Sequence, residues 1–236
     1  MTSAPPAAPP AIVASALTKT YGPSVALAGV DFRIAPGESV AIMGASGSGK
    51  TTLLHCLAGI VAPDSGSVSL ATATGPLEIT ALDEAGRSRL RREAFGFVFQ
   101  QGLLLPELTA VENVALPLML TGVDRRAAEQ TAAMWLAALG LAGYETRRIG
   151  QLSGGQAQRV AIARAQTTSA AVVFADEPTG ALDSQTSAEV MDALIRSTTE
   201  RGRSLVVVTH DETVAARCSR VLRLADGRIV DEVSTR

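Results

Sequence analysis

The chain has 236 residues, 21 basic and 23 acidic, for a formal net charge of −2. Hydrophobic residues make up 47% of it, which a disordered chain does not reach, and the length is enough for one large domain or two small ones. With only 3% aromatics and no basic excess, neither a base-stacking platform nor a phosphate-backbone binder is expected.

Residues 1–11 open with MTSAPPAAPP, four prolines and no charged side chain, and are expected to form a disordered tail rather than a signal peptide. Residues 12–236 then read as one domain. Ser39–Met43 is a short apolar strand, followed by a glycine-rich turn and the helical run Lys50–Ala58, which Gly59 and Pro63 end. The stretch Thr109–Arg148 reads as helix throughout, with Asp124 able to cap Arg125–Leu139, Gly140 closing that segment, and Trp135 and Leu139 on one face. Leu152–Gln156 opens another helix that runs to about Ala165.

Ala171–Ala175 and Leu205–Val208 are apolar at every position, as central parallel strands are. Arg220–Leu224 and Arg228–Val230 flank an Asp226-Gly227 hairpin turn. The alternation predicts an α/β protein with a mostly parallel sheet and a helical insertion. Cys56 and Cys218 are far apart and lack zinc-ligand spacing, so two inert thiols are expected. The apolar runs fall far short of the roughly 20 residues that span a bilayer, so any service to a membrane is expected to pass through a partner.

Gly44-Ala45-Ser46-Gly47-Ser48-Gly49-Lys50-Thr51 fits G-x-x-x-x-G-K-[ST], between a predicted strand and a predicted helix. Glycines let the backbone wrap phosphate oxygens with its N–H groups pointing inward, and the following helix adds its positive end. Lys50 supplies a mobile charge to the outer phosphates, Thr51 a hydroxyl for Mg²⁺, and Thr52 continues the loop's contact. Lysine occurs only twice, at Lys19 and Lys50, and a lysine at this position is hard to explain without a ligand.

The apolar run Val172–Ala175 ends in Asp176 and Glu177. A carboxylate at the end of a parallel strand beside a phosphate loop can hold Mg²⁺, here Asp176, while Glu177 can orient or deprotonate an attacking water. Alone, the two acids could be a capping pair after a core strand. Leu152-Ser153-Gly154-Gly155-Gln156 offers a second anion site at a helix start, which makes sense if two chains face each other and each lends this end to the other's nucleotide. Alone, it could be an ordinary helix N-terminus.

In combination, LSGGQ, the phosphate loop, the Asp-Glu pair and the later lone His210 resemble the ATP-binding subunit of an ABC transporter over about residues 12–230. The resemblance implies a P-loop NTPase (RecA-like) core with an antiparallel β edge and a helical subdomain inserted at about residues 103–152. It also implies ATP and Mg²⁺ as ligands, a second copy of the chain and an integral-membrane permease as partners, no nucleic acid, and a place on the cytoplasmic face of the membrane. By the same resemblance Tyr21 stacks on adenine, and Gln100 contacts Mg²⁺ and the water, with Gln101 as the alternative in a shifted register. Asp183 crosses the dimer interface, and His210 contacts the γ-phosphate. Each has a plainer alternative: a half-buried loop aromatic for Tyr21, an exposed side chain for Gln100, a solvated loop imidazole for His210. His55, inside the helix, reads as structural.

Phe95–Gln100, Leu104-Leu105-Pro106, Thr109–Val114 and Asp176–Ser184 are similar to the branch that includes lipoprotein-release, macrolide-efflux and antimicrobial-peptide-resistance ATPases. That branch implies hydrolysis coupled to export or to mechanical work by the permease. An occupancy-signalling regulator and an importer subunit are the alternatives. Ala157, Gln166, Ala181 and the Thr72–Pro76 turn depart from the branch pattern, and none touches the acid pair, the phosphate loop or Ser153–Gly155.

Overall fold

The computed structural model describes residues 11–100, 102–168 and 170–235. Two sheets carry the fold. Strands β1 (Ile12–Tyr21), β2 (Ser24–Ile34), β4 (Ser65–Thr72) and β5 (Gly75–Glu78) form an antiparallel sheet in the order β2-β1-β4-β5. Strands β3 (Ser39–Met43), β6 (Phe95–Phe99), β7 (Val172–Asp176), β8 (Ser204–Val208), β9 (Arg220–Ala225) and β10 (Arg228–Ser234) form the second, in the order β10-β9-β3-β8-β7-β6. Its pairs are parallel except β10 on β9, the hairpin turned by Asp226 and Gly227 at φ 47° and 71°.

The uniformly apolar strands are explained by burial on both faces. Along β3, Val40 and Ile42 enter a core shared with the antiparallel sheet, while Ala41 and Met43 enter a second core under the helices. Val172 and Phe174 alternate with Val173 and Ala175 in the same way along β7, and Val206 and Val208 with Leu205 and Val207 along β8. Helix α1 (Lys50–Leu57) seals the first core with Leu53, Leu54 and Leu57, each worth about 1.5–3 kcal/mol of burial. Helix α2 (Glu84–Ala94), capped by Asp83, leads into β6.

The second face carries α3 (Ala110–Leu120), α4 (Arg125–Ala138), α5 (Gly154–Gln166) and α6 (Ser184–Thr198), with the short α7 (Glu212–Ala215) after β8. The stretch 109–148 is not helix throughout. A capping box of Thr109 and Glu112 starts α3, Gly122 at φ 91° turns the chain, and Asp124 starts α4. Beyond Gly140 at φ 76° the chain runs back to α3, where Ala110 N–H donates to Arg147 O at 2.8 Å and Val111 N–H to Glu145 O at 3.0 Å. Glycines Gly122, Gly140 and Gly143, all at positive φ, break what the apolar periodicity alone reads as continuous.

At the N-terminal side, Ala11 is buried; its N–H donates to Ile34 O at 2.7 Å and its C=O accepts from Ala71 N–H at 2.9 Å. The rest of the expected tail, residues 1–10, lies outside the described residues. Among the described residues no helix is long and apolar enough to cross a membrane. Cys56 and Cys218 are both buried, and burial pushes the Cys56 thiol up to about 11, which keeps it protonated and unreactive.

Candidate nucleotide-binding site

The loop between β3 and α1 is shaped by close approach. A Cβ on Gly44 (φ 151°) would fall 2.1 Å from Leu224 O, and one on Gly49 (φ 103°) 2.1 Å from Ala26 O, so only glycine fits either place. Gly49 is the N-cap of α1, whose N-terminal end points its free N–H groups into the loop. Lys50 Nζ donates to Gly44 O and Ala45 O, each at 2.8 Å, which puts the ammonium across the loop mouth. The buried Ser48 Oγ has no hydrogen-bond partner among the described residues.

Tyr21, Gly44, Ala45, Ser46, Gly47, Gly49, Lys50, Thr51, Thr52, Glu177 and His210 line one open cleft of about 840 Å³ with Val25 and Ala26. Tyr21 is 51% exposed, and Lys19 Nζ sits 5.7 Å from its ring centroid. Lys19 is in turn held by Asp64 at 2.8 Å. An exposed ring facing a cleft, braced by a cation, offers a flat surface for a base.

Beside the loop, Thr51 Oγ1 approaches Asp176 Oδ1 at 3.5 Å. Burial raises the Asp176 carboxyl above the usual carboxylate range, with the neighbouring Glu177 charge adding to it and His55, Thr51 and Lys50 opposing. Glu177 follows β7 with φ 47°, an uncommon region for a side chain with a Cβ. Its N–H donates to Val208 O at 2.9 Å, and its Oε1 lies 2.8 Å from Nδ1 of His210. The two strand ends β7 and β8 therefore deliver an acid and an imidazole to one point. His55, within α1, is half-buried and outside the cleft's lining.

Ser153–Gln156 and Asp183 form a separate patch. Ser153 is the N-cap of α5: its Oγ accepts from Gln156 N–H at 3.3 Å, and Gln156 Oε1 accepts from Ser153 N–H at 2.9 Å. Asp183 caps α6, accepting from Thr186 N–H at 3.0 Å and Thr186 Oγ1 at 2.6 Å, which holds its carboxyl below the usual range. The two caps touch: a Cβ on Gly155 would meet Thr186 Cγ2 at 2.5 Å, and one on Gly154 would meet Leu182 Cδ2 at 3.1 Å. Neither Ser153–Gln156 nor Asp183 is among the described residues lining the cleft.

Gln100 follows β6, whose last residue Phe99 pairs with Asp176, so Gln100 leaves the sheet beside the acid pair. Gln101 lies outside the described residues. Sequence reasoning missed the side chains that fix this exit. Gln158 Nε2 donates to Phe99 O at 3.0 Å, and the Arg164 guanidinium donates to Gly102 O at 2.6 Å and Leu103 O at 2.7 Å. Both come from α5 at positions where only an unusual polar residue on a buried helix face could have signalled them.

A loop with a bridging ammonium, glycines no Cβ can replace, an orphaned buried hydroxyl and adjacent hydroxyl and carboxylate oxygens fits a nucleotide triphosphate with a hard divalent cation. Comparison with known proteins agrees. The family described as ABC transporter matches residues 27–180. The chain is 46% identical over 218 residues to the lipoprotein-releasing system ATP-binding protein LolD of Geobacter metallireducens, covering 91% of this chain and 95% of that protein. It is 46% identical over 211 residues to the macrolide export ATP-binding/permease protein MacB of Rhodopseudomonas palustris, covering 89% of this chain but 32% of that longer protein. Among solved structures, the dimeric ATP-binding cassette MJ0796 in a post-hydrolysis state with ADP and Pi superposes with a TM-score of 0.85 at 39% identity, covering 95% of this chain and 99% of that one. By sequence, fold and site, this chain belongs to the ABC transporter family as an ATP-binding cassette of the LolD and MacB kind.

Proposed function

We propose that the chain hydrolyses ATP as a homodimer on the cytoplasmic face of a membrane, and that the cycle drives a separate permease in an export or force-transmitting system. The observation that carries the reading is the Glu177 carboxylate, held 2.8 Å from His210 in the same cleft as Lys50. Lys50 and the N–H groups of Gly44–Thr52 bind the phosphate chain, and Tyr21 carries the base. Thr51, Gln100 and Asp176 would hold Mg²⁺, whose charge, when bound, neutralises the phosphate oxygens. Glu177 orients a water in line with the terminal phosphate and takes its proton. His210 fixes the carboxylate and donates to the charge that develops on the phosphoryl oxygens.

Ser153, Gly154, Gly155 and Asp183 sit on a patch of their own, outside the lining of the cleft. That separation supports an arrangement in which each copy offers the patch to the nucleotide of the other, as a donor supplied in trans worth about 10³-fold or more. The names of the relatives, a lipoprotein-releasing system and a macrolide exporter, support a permease partner.

The test is Glu177→Gln. Turnover should fall by about 10³-fold while ATP still binds and drives dimer formation seen by light scattering. Undiminished turnover removes Glu177 from its role; a variant that stays monomeric with ATP removes the shared-site arrangement.

A further inference from the structure

We propose that Gly180 is a positioning residue: its bare Cα is the seat on which the Gln100 side chain rests, and this contact sets where the Gln100 amide meets the nucleotide site. The inference rests on the reading of Gln100 as a residue of that site.

Phe99 pairs with Asp176, so the segments leaving β6 and β7 run out of the sheet side by side. The second of them turns back at once, with Gly180 N–H donating to Glu177 O at 3.1 Å. That turn brings Gly180 under Gln100. A Cβ at Gly180 would fall 2.9 Å from Gln100 Nε2, 3.3 Å from its Cδ and 3.5 Å from its Cγ. All three nearest atoms belong to the one side chain.

Backbone demand does not account for the glycine, because Gly180 is not among the residues at positive φ. Its exposure leaves no core to fill either. What requires a missing side chain is the neighbour. Gln100 cannot yield through its backbone, since Gln158 holds Phe99 O on one side and Arg164 holds Gly102 O and Leu103 O on the other. Only the side chain can swing. A methyl group at 180 would therefore cost little stability and displace the amide by a few tenths of an ångström, toward ordinary contact. Positioning errors of this size at a reacting centre are expensive, up to about 100-fold in rate for 1 Å. The same turn runs on into Asp183, so Gln100 also touches the segment that leads to the expected dimer contact.

The experiment is a double-mutant cycle between Gly180→Ala and Gln100→Ala, with ATPase kinetics and thermal melts on all four proteins. Mg²⁺ titrations of fluorescent-nucleotide binding are added in a Glu177→Gln background. Gly180→Ala should melt within about 2 °C of the parent, lose about ten-fold in kcat with KM for ATP little changed, and need more Mg²⁺ for half-saturation. In the Gln100→Ala background it should do nothing further. Unchanged kcat and Mg²⁺ response in Gly180→Ala, an additive loss in the double variant, or a collapse in melting temperature each overturns the proposal. If Gln100→Ala alone keeps full turnover and an unaltered Mg²⁺ response, what fails is the reading of Gln100 on which the proposal stands.

Discussion

Nδ1 of His210 lies 2.8 Å from Oε1 of Glu177, and the contact joins two side chains delivered by the carboxyl ends of β8 and β7. Neither residue is placed by its own strand alone. Glu177 takes φ 47° with its N–H on Val208 O, while His210 follows Thr209, whose N–H donates to Ile42 O at 3.2 Å. Asp211 then caps the next turn through Thr213 N–H at 2.7 Å, which fixes the chain on the far side of the imidazole. A strained residue on one strand and a braced loop on the next meet where a proton must be handled.

The contact raises the His210 pKa above its ordinary 6.5, first through the hydrogen bond to Glu177 and then through its charge. A raised folded-state value means that His210 contributes stability fully below about the ordinary pKa, and that the contribution is lost as pH rises through the folded value. With only two histidines in the chain, the imidazole resonances can be assigned and titrated by NMR. The His210 midpoint should lie above 6.5 and fall back toward it in Glu177→Gln. An unmoved midpoint would show that the pair does not form in solution.

The arm that presents Tyr21 depends on charge. Asp64 accepts from Lys19 Nζ at 2.8 Å and from Thr20 N–H and Thr20 Oγ1 at 2.7 Å each, and these bonds lower its pKa to about 2. Its depressed value means the contribution is present above the ordinary carboxylate range and fades as pH falls toward 2. Asp64→Asn should release Lys19 from beside the Tyr21 ring and weaken ATP binding about two- to five-fold, with kcat at saturation retained. Equal loss of affinity for ATP and for inorganic triphosphate would show that the arm does not serve the base.

Much of this site was legible in the sequence because its chemistry is written locally. Gly44–Thr51 and Asp176-Glu177 are contiguous, and each needs particular residue types at fixed spacing. Lys50, Thr51 and Glu177 do meet in one cleft, whereas Ser153–Gln156, just as contiguous, lies outside that cleft's lining. The central strands Ser39–Met43 and Leu205–Val208 were legible for the same reason: burial on both faces leaves an uninterrupted apolar run. Strands of the antiparallel sheet were not, since β2 alternates only over Val30, Phe32 and Ile34, and the bulges against β1 put buried Leu27 out of that period. Within 109–148 the stop at Gly140 was legible, whereas the turns at Gly122 and Gly143 were hidden because their meaning depends on φ. The grip of Arg164 on Gly102 and Leu103 spans 61 or more residues of sequence, and no local pattern announces it.

Affinity and fold can be separated within the phosphate loop. Lys50→Ala removes a charge that lies across the loop mouth without filling space, so it should keep the fold and weaken ATP binding by at least about 30-fold, the lower end of what truncating a charged hydrogen-bonded partner costs. Gly44→Ala is different, because its Cβ would collide with a backbone carbonyl that cannot rotate away, Leu224 O at 2.1 Å. That variant should lose on the order of 3–5 kcal/mol of stability, with β9 disturbed along with the loop. Calorimetric titration and chemical denaturation distinguish the two; a fully stable Gly44→Ala would mean that the loop is looser than its geometry implies.

At the far end of the helical insertion a stacked pair adds to the buried packing that joins α4 to α5 and α6. The Arg201 guanidinium carbon sits 4.3 Å from the ring centroid of Trp135 on α4, and nearby Arg159 on α5 reaches Glu189 on α6 at 2.7 Å. Both contacts border an open cleft of about 670 Å³ between these helices, at the rim of the buried core that Leu136 and Leu139 share with Val160, Val190 and Leu194. Trp135 is the chain's one tryptophan, and its fluorescence therefore reports this junction directly. Arg201→Ala should shift the emission to longer wavelength and cost about 0.5–1 kcal/mol, or roughly 1–4 °C in melting temperature. If insertion and core turn relative to one another during the nucleotide cycle, ATP should shift the emission of the parent in a Glu177→Gln background, and Arg201→Ala should already show part of that shift without nucleotide. An emission that ignores both the substitution and ATP would show that this end of the insertion is held by α5 and α6 alone.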